Sequence, residues 1–203
     1  MLRTTGFVGA ASYCLVLMIS SSSDAGLLTT TAGAITQGTV AFDNGNLQGN
    51  LDFAVLPAAA FTAAFGNDDY TPGDTYVYAY QIINSSEAGT DSISADVTAP
   101  VTPANTIGTF ETVDGGGEIN ASTAVLVGPT ANWVFNPEIP PGALSWGLAF
   151  SSPNLPKTGA ALIVDGGNSA LVEIPVPIIP EPASLILVAI AGSVILLLRR
   201  RAK

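Results

Sequence analysis

Few residues of this chain could do chemistry. It has no histidine, one cysteine (Cys14), and sixteen acidic residues against six basic ones. Without histidine, histidine-based triads and most zinc sites are excluded. Between Gly26 and Pro180 stands a single lysine, Lys157, and no Ser-X-X-Lys pattern contains it. Paired carboxylates of the glycosidase kind remain. The acids sit mostly in Gly- and Asn-rich stretches, however, where such residues form turns. The chain is therefore read as non-enzymatic. Hard oxygen ligands for calcium gather at Asp43/Asn44/Asn46, at Asn67/Asp68/Asp69/Asp74 and at Asp114/Glu118. None has the EF-hand spacing. Turn chemistry accounts for them, so no cofactor is expected and calcium is the one candidate. Tyr76, Tyr78 and Tyr80 alternate and could form a stacking platform for sugars. Burial in a core, with the hydroxyls reaching the sheet edge, is the commoner use of such a row. Asn84-Ser85-Ser86 and Asn120-Ala121-Ser122 match the glycosylation sequon.

The elements that must position these residues read as strands. No stretch between Gly26 and Pro177 has apolar residues at helical spacing. Short strands are expected at Thr39–Phe42, Leu51–Leu56, Thr75–Asn84, Asp91–Thr98, Ile107–Val113, Thr123–Val127, Ala131–Asn136, Leu144–Phe150, Ala160–Val164 and Ala170–Ile174. Thr75–Asn84 has no charge on either face and is expected to be central. Leu144, Trp146, Leu148 and Phe150 are expected to point one way. Asp43-Asn44-Gly45-Asn46 and Asp165-Gly166-Gly167-Asn168 read as hairpin turns. Ala58–Phe65 is ambiguous and is read as strand or irregular. Ten short strands with Gly/Pro/Asn turns predict an all-β chain, an antiparallel β-sandwich over 26–174. The run from Gly73 to Val97 is similar to the middle of immunoglobulin-like domains of bacterial surface proteins. A jelly roll is the competing topology.

Charge is divided along the chain. From Gly26 to Pro180 fourteen acids face Lys157 alone, a net −13, while four of the six basic residues lie in the last five positions. A polyanionic body excludes nucleic-acid binding, which requires basic patches, and disfavours anionic lipid surfaces.

The two ends carry targeting signals. Arg3, an apolar stretch Phe7–Ile19 and a small polar stretch Ser20–Ala25 form a secretory signal peptide, with cleavage between Ala25 and Gly26. Its removal takes away Cys14, so the mature protein has no disulfide. At the other end, prolines at 175, 177, 180 and 182 read as an extended spacer over 175–182. Ala183–Leu198 is sixteen uncharged residues, about 24 Å as a helix against about 30 Å of hydrocarbon. Flanking arginines that snorkel make so short a span workable. Arg199, Arg200, Arg201, Ala202 and Lys203 form a basic cytoplasmic tail.

Pro180-Glu181-Pro182, the hydrophobic segment and Arg199, Arg200 and Arg201 together resemble the PEP-CTERM sorting signal. That signal occurs in exported proteins of Gram-negative and related bacteria that secrete extracellular polysaccharide. The resemblance implies recognition by a membrane-embedded exosortase as partner, transient residence in the inner membrane, removal of the tail, and delivery to the cell surface or matrix. A structural or adhesive role beside exopolysaccharide follows. The alternative is a carbohydrate- or calcium-binding module that stays anchored in the membrane. Leu155-Pro156-Lys157-Thr158-Gly159 matches the motif cut by Gram-positive sortases. Only five apolar residues follow it before Asp165, so it is read as a loop between two strands.

Overall fold

The structure, a computed structural model, describes residues 27–86, 99–100, 104–112, 118–165 and 167–178. Over these residues the chain is all-β with antiparallel sheets, plus a 3-10 turn at Leu27–Thr30 and one short helix. The elements run β1 (Thr36–Asp43), β2 (Gln48–Pro57), α1 (Ala58–Phe65), β3 (Tyr76–Asn84), β4 (Ala99–Pro100), β5 (Ile107–Phe110) and β6 (Glu118–Ile119). Then follow β7 (Thr123–Val127), β8 (Thr130–Val134), β9 (Leu144–Ser145), β10 (Gly147–Ser152), β11 (Pro156–Asp165) and β12 (Asn168–Pro177). The main sheet has the order β1-β2-β3-β10-β5, with β9 beside β3 and β6 beside β9. The smaller sheets are the hairpin β11-β12 and the set β4-β8-β7.

The layering explains the uncharged alternation of β3, which is paired on both sides, by β2 and β10. Tyr78, Tyr80 and Ile82 point to one face and join Leu51, Val55, Leu148 and Phe150. Trp133 of β8, Ala161 and Ile163 of β11, and Val172, Ile174 and Val176 of β12 close over them. Val77 and Ala79 point to the other face, which Phe61, Tyr70 and Leu28 cover. The main sheet is thus covered on both sides, and the side facing the small sheets is sandwich-like. Tyr78 and Phe150 are register partners whose rings stack 4.9 Å apart at 2°. A pair of this kind adds about 0.5–1.5 kcal/mol beyond its buried area.

The expected turns form where glycine allows them. β1 and β2 are joined by Asn44–Leu47, with Gly45 at φ 92°. The Gly45 N–H donates to Asp43 Oδ1 and the Leu47 N–H to Asn44 Oδ1, which is side-chain turn chemistry. β11 and β12 close at Asp165↔Asn168.

Four expectations need correction. Ala58–Phe65 is helical. Alanine is the best helix former, Pro57 opens the helix, and the Gly66 N–H closes it on the Thr62 carbonyl at φ 76°. The helix buries Phe61, whose ring meets Phe110 edge-on at 4.9 Å. Second, Leu155–Gly159 is not a loop, since β11 takes in Pro156–Gly159. Third, β12 continues three residues past Ile174 through Pro175, Val176 and Pro177, all buried. The spacer expected from 175 is strand up to Pro177. A two-stranded hairpin has free edges, where proline costs no ladder bond.

Fourth, Leu144–Phe150 does not keep one alternation. Leu144 pairs with Ile83 while Leu148 pairs with Tyr80, so three residues, Ser145–Gly147, oppose two on β3. The extra residue is a β-bulge. It turns Leu144 to the face opposite Leu148 and Phe150. The Ile82 N–H, displaced from a carbonyl, donates to Ser145 Oγ at 2.9 Å. Ser145 Oγ donates in turn to the Trp146 carbonyl, and the Trp146 N–H to that of Ile119. The expected strand at Asp91–Thr98 lies outside the described residues.

Candidate functional site

The sorting and cleavage residues Pro180, Glu181, Pro182, Arg199, Arg200, Arg201, Ala25 and Gly26 lie outside the described residues, as do 183–198. Among the described residues no helix is long and apolar enough to cross a membrane. The described body ends at Ile178, two residues before the Pro-Glu-Pro motif. Ile178 is held there: its N–H donates to the Leu155 carbonyl at 2.9 Å, and its own carbonyl accepts from Asn154 Nδ2 at 2.6 Å.

The tyrosine row is core. Tyr78 and Tyr80 are fully buried, and Tyr76 is half-buried at the end of the strand. Their hydroxyls are used: Tyr78 donates to the Asn154 carbonyl at 2.8 Å and Tyr80 to that of Pro175 at 2.6 Å. Both bonds tie the β11–β12 region to the central strand. Burial pushes the pKa of both phenols up, with a smaller contribution from the neighbouring tyrosine. Burial also raises that of Tyr70, partly offset by hydrogen bonds to Thr106 and Ser151. Tyr70, Thr106 and Ser151 hydroxyls form a chain, 2.8 Å and 2.6 Å apart, onto which the Gly73 N–H donates. This hydroxyl chain latches the 66–75 loop to β10.

The described members of the acidic loops make separate contacts, and Asp114 lies outside the described residues. Asp74 accepts from the Thr75 N–H and from Asn105 Nδ2, and Asp69 from the Glu111 N–H. Among the described residues no three acidic or cysteine side chains come together as a metal site. Glu118 turns toward Gln81: its Oε1 accepts from Gln81 Nε2 at 2.7 Å, and it also accepts from the Thr112 N–H and hydroxyl. Gln81 further bonds Thr112 Oγ1 and the Ser145 carbonyl. This polar node satisfies itself, and no described buried side-chain nitrogen or oxygen lacks a partner. Asn84 of the first sequon is fully buried and donates to the Ile139 carbonyl. Asn120 of the second is exposed.

One cleft was not foreseen. It has a volume of about 280 Å³ and opens between the β1–β2 side of the main sheet and the terminal hairpin, lined by Thr36, Phe53, Lys157, Thr158, Glu173 and Pro175. Lys157 pairs in register with the buried Val176, which puts it on the inward row of β11, yet it is exposed. The residues that meet here are more than a hundred positions apart. The signal available in the sequence was Lys157 itself, the lone cation of an acidic body.

Compared with known proteins, the chain matches no family model, no curated protein and no solved structure.

Proposed function

We propose that this protein is an exported, non-enzymatic surface or extracellular-matrix component, sorted by an exosortase at Pro180-Glu181-Pro182. A signal peptide over 1–25 directs translocation, and the 183–198 helix arrests the chain in the inner membrane. The basic tail 199–203 stays cytoplasmic, and the enzyme then releases the body to the cell surface or matrix. There it acts structurally or adhesively beside exopolysaccharide. The same reading makes the body a β-sandwich of the immunoglobulin-like or jelly-roll kind.

The observation that carries this is the order of residues at the C-terminus: Pro180-Glu181-Pro182, an uncharged run of sixteen and a triple arginine. Each part has a physical role, as a grip for the enzyme, a membrane arrest and a cytoplasmic anchor. The non-enzymatic reading is supported by the absence of histidine from the sequence. The intact mass of the mature protein from its native host tests the proposal. Loss of residues 1–25 and of the chain after about Pro182 is expected. A mass that keeps Ala183–Lys203 overturns sorting and leaves a membrane-anchored ectodomain.

A further inference from the structure

We infer that the cleft between the main sheet and the terminal hairpin binds one ring of a neutral polysaccharide, with Phe53 as the stacking face and Lys157 and Glu173 as hydroxyl partners. The choice of polysaccharide as ligand rests on the matrix reading above; the cleft chemistry stands apart from it.

The first observation is Phe53. It sits on the same face of β2 as Leu51 and Val55, which are fully buried, but it is only half-buried and lines the cleft. Its register partner on the edge strand β1 is Gly38. A Cβ at Gly38 would lie 3.1 Å from the ring tip and 3.5 Å from the next ring carbon, so the ring lies across the glycine. With no side chain on β1 to cover it, the aromatic surface extends to the rim. The positive C–H edges of a pyranose ring pack on the negative face of such an aromatic.

The second observation is charge. Lys157 is the only cation from Gly26 to Pro180 among fourteen acids. Glu173 lines the same cleft, yet no described residue forms an ion pair with Lys157. An ammonium offers three donors and a carboxylate only acceptors. A sugar hydroxyl, which both donates and accepts, satisfies either. Thr36 and Thr158 add hydroxyls that do both. The field of a body with net −13 disfavours an anionic ligand, which selects neutral sugars over uronic acids. The volume of about 280 Å³ falls just below the range of drug-sized ligand sites, about 300–1,000 Å³, and suits a single ring of a chain that continues into solvent.

The test titrates the full chain in neutral detergent micelles with cellohexaose, maltohexaose, mannohexaose and a hexamer of galacturonic acid, followed by amide NMR shifts. At least one neutral hexamer is expected to bind saturably in the millimolar range or tighter, with shifts at Thr36, Phe53, Lys157–Thr158 and Glu173. Lys157→Gln and Glu173→Gln, both at exposed positions, are each expected to weaken binding about tenfold. Phe53→Leu is expected to abolish it while keeping an apolar side chain in place. No binding of any neutral hexamer, tighter binding of the galacturonate hexamer, or shifts elsewhere overturns the inference. The result is independent of sorting. A retained tail with intact binding sinks only the sorting proposal, and a removed tail without binding sinks only this one.

Discussion

Gly49 shows how much a single missing side chain decides here. A Cβ at this position would lie 2.3 Å from the Ile83 carbonyl oxygen and 2.4 Å from the Phe42 ring. The first neighbour is backbone of the central strand and cannot yield. Gly49→Ala is expected to cost about 3 kcal/mol, read from chemical denaturation. Gly167, with nothing within 4 Å and no positive φ, is the internal control. Gly167→Ala is expected to change stability by less than about 0.5 kcal/mol. A cost at Gly49 no larger than that would mean β2 and β3 separate more easily than their register implies. Glycine in a strand weakens it on propensity alone. The sequence therefore gives no reason to prize Gly49, whose value comes from Phe42 folding over it from the neighbouring strand.

At the scale of elements, the bulge between β9 and β10 depends on one hydroxyl. Ser145→Ala would strip the Ile82 N–H of its acceptor in the middle of the protein. A buried donor left unmatched costs about 1–3 kcal/mol. The expected result is a loss of about 2 kcal/mol, together with faster hydrogen exchange at the Ile82 amide. An unchanged exchange rate would mean another acceptor takes over. What could be read in advance follows from the same logic. The central position of β3 was legible because its lack of charge on both faces leaves only burial as an explanation. The turn at 165–168 was legible because its residues prefer it locally. The bulge was not, since it is set by Ser145 meeting Ile82 across strands. Helix α1 was not, because Ala58–Phe65 is apolar except for Thr62 and has no period to detect. The Leu155–Gly159 stretch read as loop because proline and glycine usually mark one, and a two-stranded hairpin tolerates both. Of the candidate sites, the proposed targeting signals rest on contiguous residues and so could be proposed from the sequence alone. The cleft cannot, because it joins strands from opposite ends of the body.

For the whole molecule, the body of the chain carries no cysteine and relies on core burial, with three tyrosine hydroxyls fastening its layers. Burial raises the pKa of Tyr70, Tyr78 and Tyr80 above the ordinary value of 10.0. The folded state therefore holds these protons more tightly than the unfolded chain. Their contribution is fully present below pH 10 and is lost as pH rises through the folded-state values. The midpoint of thermal unfolding is expected to be flat from neutral pH to about 9 and to fall steeply above about 10. In a Tyr13→Phe/Tyr76→Phe variant, which leaves Tyr70, Tyr78 and Tyr80 as the only phenols, phenolate absorbance is expected to rise only as the protein unfolds. Phenolate appearing before unfolding would contradict the buried hydrogen bonds described for Tyr78 and Tyr80. The fastening of the last strand has a mechanical side as well. A pull on the chain beyond Ile178 enters β12 at its final residues. There the load first meets the Asn154 amide on the Ile178 carbonyl, the Ile178–Leu155 bond and the Tyr80 hydroxyl on Pro175. The clamps stand where tension arrives, so force on the tail is passed to the central strand before the hairpin behind it begins to peel.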